Sequence, residues 1–349
     1  MAPLGIIDSH IHLWPEETSN EQGHSWMTPG MPLAKPHLLK DYCRASRQDE
    51  SADSDVVVNG VVYIETDVRY DAPNGDLATW AKGPLDEILF LRNIVESKYG
   101  ERDSKMLLGL VPWVPVDQPN AIVEEYLTLV KDMAGPQAWP RVKGFRYLLQ
   151  SITNQTHFEK LIFSDAFTAN LKLLGKRGMS FDVGVDQHSG GIWQLEAMAK
   201  AMELAHLDVP EKEKVIFILN HLCKPDFAEQ SPEFSRWCNA VSSMSKCSRT
   251  YVKLSGAFSE LPPGLGSTSN MADHIRPWVT HVLGTFGPQR TMFGSDWPVC
   301  NLNGPAGEDS WVAWKDVVQL MSNDASYQLS ENDRQRIWSG TAAEAYRLS

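Results

Sequence analysis

The run Ile6-Ile7-Asp8-Ser9-His10-Ile11-His12 sets two imidazoles two positions apart in an apolar, β-branched stretch. If it is a strand, its two-residue period puts Asp8, His10 and His12 on one face and turns Ile7 and Ile11 to the other. Two imidazoles so placed can converge on one cation or one substrate oxygen, although a pair of hydrogen-bonded interior histidines would look the same. A carboxylate closes a second apolar run, Thr291-Met292-Phe293-Gly294-Ser295-Asp296-Trp297-Pro298. Buried beside histidines, Asp296 could bind a metal or accept a proton from water, and ahead of the Trp297-Pro298 turn it could instead cap the next segment.

Three further runs end in polar groups. Ile218-Leu219-Asn220-His221-Leu222-Cys223-Lys224-Pro225 carries His221 and Lys224, Val142-Lys143-Gly144-Phe145-Arg146-Tyr147 carries Arg146, and Tyr63-Ile64-Glu65-Thr66 carries Tyr63 and Glu65. The fixed donor fork of Arg146 suits a carboxylate or a polarised carbonyl. Lys143 starts its run and is expected at the opposite, stabilising end of the strand. Strand parity places Tyr63 and Glu65 together as hydrogen-bonding groups for a hydroxylated ligand, with a salt bridge as the other use of Glu65. His188, in Asp186-Gln187-His188-Ser189-Gly190-Gly191, could reach a metal or substrate or could face water. Trp14, Trp26, Trp113 and Trp297 stand beside expected strand ends, where aromatic faces suit sugar-like rings. No GxSxG elbow surrounds Ser255, and Cys300 has no basic partner nearby in sequence, so neither is expected to be a nucleophile.

The elements that must position these groups repeat in a regular order. Strand-like runs fall near 4–12, 60–66, 106–112, 142–149, 179–185, 214–221, 250–255 and 291–296, and helical patterns at 84–99, 120–134, 158–177, 192–207, 227–246 and 271–286 lie between them. Two more helices, 309–322 and 331–346, follow the last strand. Runs apolar on both faces are what parallel strands covered by helices require. Eight such units predict an α/β fold, a single (β/α)8 TIM barrel across 1–349, with the polar groups above at its carboxyl-terminal rim. A doubly wound sheet is the alternative, but neither GxGxxG after the first strand nor GxxxxGK[ST] is present. An insertion after strand 1, at about 14–55 with a short helix near 36–47, should cover the active face, and 67–83 and 259–270 read as lid loops.

Composition narrows the partners. The chain has 349 residues, 42% hydrophobic and 22% charged, and its 32 basic against 44 acidic side chains give a formal charge of -12. That charge disfavours nucleic acid and anionic membranes, and no run approaches the roughly 18 apolar residues of a membrane span. A strand that begins near Leu4 leaves no room for a cleavable leader, so a cytoplasmic location is expected, with five unpaired cysteines and an unglycosylated Asn154-Gln155-Thr156 sequon.

Taken together, IDSHIHLW, NHLCKP, VKLSGAF and FGSDWPVC resemble the amidohydrolase superfamily, in its sugar-lactonase and dicarboxylate-lactonase branch, over nearly the whole chain. Within that branch the chain looks most like the fungal L-rhamnono-gamma-lactonases and, more distantly, the bacterial L-fuconolactonases. The resemblance implies a lactone hydrolase acting on a sugar lactone, most simply L-rhamnono-1,4-lactone. It also matches His10 and His12 to the family's first-strand pair, His221 to its sixth-strand histidine and Asp296 to its last-strand carboxylate. Asp296 and His221 are then catalytic, and His10, His12 and Asp296 would hold one divalent ion, zinc for preference, although relatives that work without metal leave a metal-free mechanism open. Arg146, Lys224, Glu65, Tyr63, Tyr147, His188 and Trp113 are expected to contact substrate. His188 matches the fifth-strand zinc ligand of related decarboxylases only loosely. The chain departs from the family at Tyr147, where His is common, and at Glu65, where Gln is common. A lactone isomerase, a metal-dependent decarboxylase and a non-enzymatic binding barrel are the rival readings, and a homodimer is possible.

Overall fold

The computed structural model describes residues 4–48, 56–227, 233–262, 264–302 and 304–348, so the end of the insertion (49–55), Pro263 and the start of the expected 227–246 helix lie outside the described residues. In chain order the elements are β1 (Leu4–Ile11), α1 (Leu39–Ala45), β2 (Val56–Ile64), α2 (Leu77–Trp80), α3 (Lys82–Val95), α4 (Glu101–Met106), β3 (Leu107–Val111), α5 (Asn120–Ala138), β4 (Gly144–Tyr147), α6 (Gln155–Ile162), α7 (Asp165–Lys176) and β5 (Ser180–Val183). There follow α8 (Ile192–His206), β6 (Ile216–Leu219), α9 (Phe234–Ser245), β7 (Thr250–Leu254), α10 (Ala257–Glu260), α11 (Thr268–Phe286), β8 (Thr291–Phe293), α12 (Ser310–Ser322), α13 (Glu331–Gln335) and α14 (Thr341–Ala345).

Every strand pair is parallel, in two arcs ordered β1-β2-β3 and β4-β5-β6-β7-β8. The arcs meet at two seams. At one, Lys143 N donates to Leu110 O at 2.9 Å and Arg146 N to Pro112 O at 2.9 Å; at the other, Asp296 N donates to His10 O at 2.9 Å and His12 N to Trp297 O at 2.8 Å. The ring of eight strands is therefore the expected TIM barrel, and one seam runs through the residues that carry chemistry.

Apolar side chains on both faces of the strands build two separate cores. Ile7, Val62, Ile64, Val111, Ile216, Ile218 and Met292 fill the barrel axis, whereas Val61, Phe145, Phe181, Phe217, Leu219, Val252 and Phe293 pack under the helices. The axial core is closed from the amino-terminal end by the last helical segment, which contributes Ala342, Ala345 and Tyr346.

Local chemistry explains where the elements differ from the sequence expectation. The helix expected over 158–177 is two, because the Ser164 side chain accepts from Phe167 N and starts a new helix. The lone Asn154 of the sequon caps α6 in the same way, accepting from His157 N. The last pattern, 331–346, is broken by a π-turn at Arg336–Gly340, which lets α14 tuck beneath the barrel. The stretch 67–83 is not a bare lid, since Asp76 caps α2 within it.

Strand parity fails at two places. Register shifts in β1 between Ile6 and Ile7 and between Asp8 and Ile11 break the simple alternation. Ile7 faces the axis and Asp8 points outward to accept from Tyr42 Oη at 2.9 Å and Trp311 Nε1 at 3.0 Å, and the extra β1 residue between Asp8 and Ile11 means that Asp8 does not share the face of His10 and His12. In β2 it is Val62 and Ile64 that face the axis, and Tyr63 is turned into the helix layer, where its hydroxyl donates to Glu87 Oε1 at 2.6 Å.

Tyr346 carries the axial seal and should reveal its weight in denaturant unfolding. Tyr346→Ala is expected to cost about 3–5 kcal/mol as the large ring is lost, and Tyr346→Phe about 1–2 kcal/mol for the lost hydrogen bond to buried Asp182. Equal losses for the two variants would show that packing contributes nothing.

Candidate active site

Four polar side chains meet at the carboxyl-terminal end of the barrel axis. His10 Nε2, His12 Nε2 and His221 Nε2 lie 3.5, 3.3 and 3.6 Å from Asp296 Oδ1. His10 Nε2 and His12 Nε2 are 3.2 Å apart, and the rings of His10 and His221 have centroids 4.4 Å apart. All four residues are buried. Backbone in the left-handed region delivers two of them, with φ at +56° for His221 and +63° for Asp296, at the two points where a strand gives way to its loop. Gly256, at φ +65°, leaves room for the His221 ring, since a Cβ there would sit 2.4 Å from it.

The surroundings decide the protonation of these groups. Burial by itself would raise the Asp296 carboxyl, but His221, then His12 and Lys224, outweigh it and hold the group at about 2. Burial, aided by the charges of Lys224 and Lys253, lowers His221 to about 3 against the pull of Asp296. His10 is pushed well below its ordinary value by burial first and by Lys253 next. At neutral pH the centre is therefore an anionic carboxylate beside uncharged His10 and His221. His12 Nδ1 faces the Ile64 carbonyl at 2.9 Å, and because a carbonyl only accepts, this nitrogen donates and fixes the ring with Nε2 toward Asp296.

The donor set suits a metal. Side-chain atoms of His10, His12 and Asp296 all lie within 4.8 Å of one another. An ion bound tetrahedrally about 2.0–2.1 Å from nitrogen and oxygen separates its ligand atoms by about 3.3 Å, close to the spacings found here. These three residues would hold it, with His221 and open cavity beyond.

A cavity of about 340 Å³ opens above the centre. Its lining combines the polar His12, Asp67, Arg146, Gln150, His221, Lys224 and Asp296 with the apolar Trp14, Trp26, Met31, Leu33, Val299 and Leu302. Four of these apolar residues come from the insertion after β1. Arg146 is anchored by Glu65, with Nε 2.5 Å from Oε1 and Nη2 2.7 Å from the backbone oxygen. Lys224 pairs with Glu260 at 3.2 Å and lies 3.8 Å from Asp186. Burial opposes both cations, but these acids keep both charged.

Other expected contact residues stand elsewhere. Glu65 is fully buried behind Arg146 and does not line the cavity. Tyr63 bonds to Glu87. Trp113 and Tyr147 stack on each other with centroids 6.3 Å apart, among Tyr70, Trp80 and Tyr126. His188 is half exposed and lies 3.8 Å from Asp226, away from the metal donors. Trp297 packs on His37 and Tyr42 rather than on the cavity. Sequence reasoning missed Asp67, Gln150 and, beneath His10, the buried trio Asp182, Lys253 and Tyr346. Asp182 and Lys253 left a usable signal, charged residues in the middle of short apolar strands.

The amidohydrolase family model matches residues 105–348, and the chain belongs to that family. It is 30% identical to the L-rhamnono-gamma-lactonase of Scheffersomyces stipitis, with 100% of both chains covered. It is 25% identical to the L-fucono-1,5-lactonase of Burkholderia multivorans, over 98% of this chain and 96% of that one. The crystal structure of an amidohydrolase from Burkholderia multivorans with bound zinc superposes with a TM-score of 0.71 at 24% identity, covering 99% of each chain. No helix among the described residues is long and apolar enough to cross a membrane.

The Glu87 carboxyl behind Tyr63 makes stability depend on pH. Burial first, and the charge of Glu65 next, lift it from 4.5 to about 7. Between those values the folded chain keeps a proton that the unfolded chain releases, so stability present at low pH is lost as pH rises through about 7. Thermal melts of Glu87→Gln should lose several degrees less between pH 5 and pH 8 than the parent protein. An identical fall in both would overturn this account.

Proposed function

We infer that this chain hydrolyses a sugar-acid lactone, with L-rhamnono-1,4-lactone opened to L-rhamnonate as its reaction. The observation that carries the reading is the buried anionic Asp296 facing a cavity lined both by two fixed cations and by apolar and aromatic side chains. Such a cavity suits a small ring bearing both hydroxyls and hydrocarbon. The two lactonase relatives act on sugar lactones by name, which supports the same class here.

In the proposed mechanism Asp296 accepts a proton from water as the water oxygen attacks the lactone carbonyl carbon. Arg146 and Lys224 border the same space and offset the negative charge that develops on the carbonyl oxygen. Glu65 engages Nε and Nη2 of Arg146, which leaves Nη1 for the ligand. Collapse of the tetrahedral species breaks the ring C–O bond, and the departing alkoxide takes the proton that Asp296 removed from water, which returns Asp296 to its carboxylate form. Ser255 Oγ, 2.9 Å from His221 Nδ1, fixes that ring. A divalent ion held by His10, His12 and Asp296, zinc being well suited to this nitrogen-rich set, would supply Lewis acidity at the carbonyl.

Asp296→Asn should lower kcat for L-rhamnono-1,4-lactone by about 10²–10⁴-fold, measured as acid release corrected for spontaneous hydrolysis, with the near-ultraviolet circular dichroism of the parent retained. Full activity in the folded variant would remove Asp296 from the mechanism. A parent protein that releases no acid above background would remove this substrate.

A further inference from the structure

Two polar residues of the cavity lining, Asp67 and Gln150, have no part in the mechanism above. Asp67 follows β2 with its backbone in the left-handed region, at φ +55°, a conformation that Asp and Asn tolerate better than most side chains. Its amide donates to Glu65 Oε2 at 2.5 Å, while Glu65 Oε1 accepts from Arg146 Nε. One buried carboxylate therefore fixes both a cation and an acid at the cavity. Among the described residues the Asp67 carboxylate itself accepts no hydrogen bond and forms no ion pair.

Gln150 is in a similar state. Its Oε1 is buried without a hydrogen-bond partner among the described residues. That atom lies against Gly184, just beyond β5, where a Cβ would stand 3.2 Å from it. An unpaired carboxylate and an unpaired amide oxygen in one cavity are acceptors waiting for donors, and hydroxyl groups of a ligand can supply them.

Charge decides what else the ligand may carry. Arg146 is already matched by Glu65, and Lys224 by Glu260 and Asp186, so neither cation is in surplus. Asp296 and Asp67 add two acids to the same lining. Burial first, and the charge of Glu65 next, lift Asp67 to about 6, which leaves it ionised at pH 8. A carboxylate on the ligand would be repelled by both acids, whereas a hydroxyl donates to them without that cost.

We propose that Asp67 and Gln150 are specificity-determining residues, which take hydroxyl groups of a neutral sugar lactone and exclude a lactone that bears a free carboxylate. The assignment rests on the lactonase reading for the ring itself and adds which substituents that ring can have.

Two uncleaved lactams test it by calorimetry on the full chain at pH 8. L-rhamnono-1,4-lactam and L-mannaro-1,4-lactam share one hydroxylated ring and differ in a methyl or a carboxylate at C6. The parent protein should bind the neutral lactam about 100-fold or more tightly. Asp67→Asn, which tolerates the same left-handed turn, should narrow that preference about tenfold or more, with the carboxylated lactam gaining affinity. A parent without the preference, or a folded Asp67→Asn that keeps it in full, would overturn the role of Asp67. Gln150→Leu removes an acceptor for hydroxyls common to both lactams, so both should weaken about tenfold with the preference intact. Undiminished binding would take Gln150 out of the site. Turnover separates this proposal from the reading beneath it: a parent that shows the preference yet opens no sugar lactone refutes the lactonase reading alone. One that opens L-rhamnono-1,4-lactone without the preference refutes the specificity alone, and one that binds neither lactam refutes the specificity whatever it hydrolyses.

Discussion

A carboxylate taken out of water must find compensation in the protein, and Asp296, 3% exposed, is placed where three strands can provide it. His10 and His12 reach it from β1, His221 from the end of β6, and Lys224 from the loop beyond. None of these partners is near Asp296 in sequence. Closure of the ring is therefore a condition for the site: the β8 to β1 seam that completes the barrel is formed by backbone bonds of His10 and Asp296 themselves. The left-handed backbone at His221 and Asp296 is tolerated because these surrounding contacts determine where each side chain must go.

Beyond that centre the insertion after β1 gives the cavity its second character. Its wall of Trp14, Trp26, Met31 and Leu33 is tied down by polar bonds at its edges. Trp14 Nε1 donates to Lys35 O at 2.7 Å, Trp26 Nε1 to Thr66 O at 2.9 Å, and His24 Nε2 lies 2.8 Å from Thr66 Oγ1. Thr66 in turn donates to Glu87 of α3. These apolar residues are thereby fixed to the rim of β2, in the same cavity as the cations Arg146 and Lys224.

Beneath the centre, charge continues down the axis where most of the barrel is hydrocarbon. Lys253, Asp182 and Tyr346 join the floor of the site to the helical plug at the other end of the barrel. A buried ion pair of this kind contributes little net stability by itself, but it is costly to break and it orients what it touches. What it touches is Nδ1 of His10.

Eight alternating units, the apolar faces of their strands and the rim position of His10, His12, His221 and Asp296 were legible along the chain, because period and order are local properties. So were the end of β4 at Arg146 and the short helix in the insertion. Parity could not foresee the register shift in β1 that separates Asp8 from the face of His10, nor that Val62 and Ile64 would take the axis and send Tyr63 to Glu87. It also says nothing of partners: Glu65 and Arg146 are 81 positions apart, and Trp113 and Tyr147 meet only because β3 and β4 are neighbours. Asp182 and Lys253 were passed over although they are charges inside short apolar strands, and their pairing with each other, with Tyr346 and with His10 exists only once the barrel closes. Sequence by itself determined which residue types stand at which strand ends. Which of them share a proton, a charge or a cavity was decided by the tertiary structure, since those interactions act across a few ångströms of space between residues up to hundreds of positions apart.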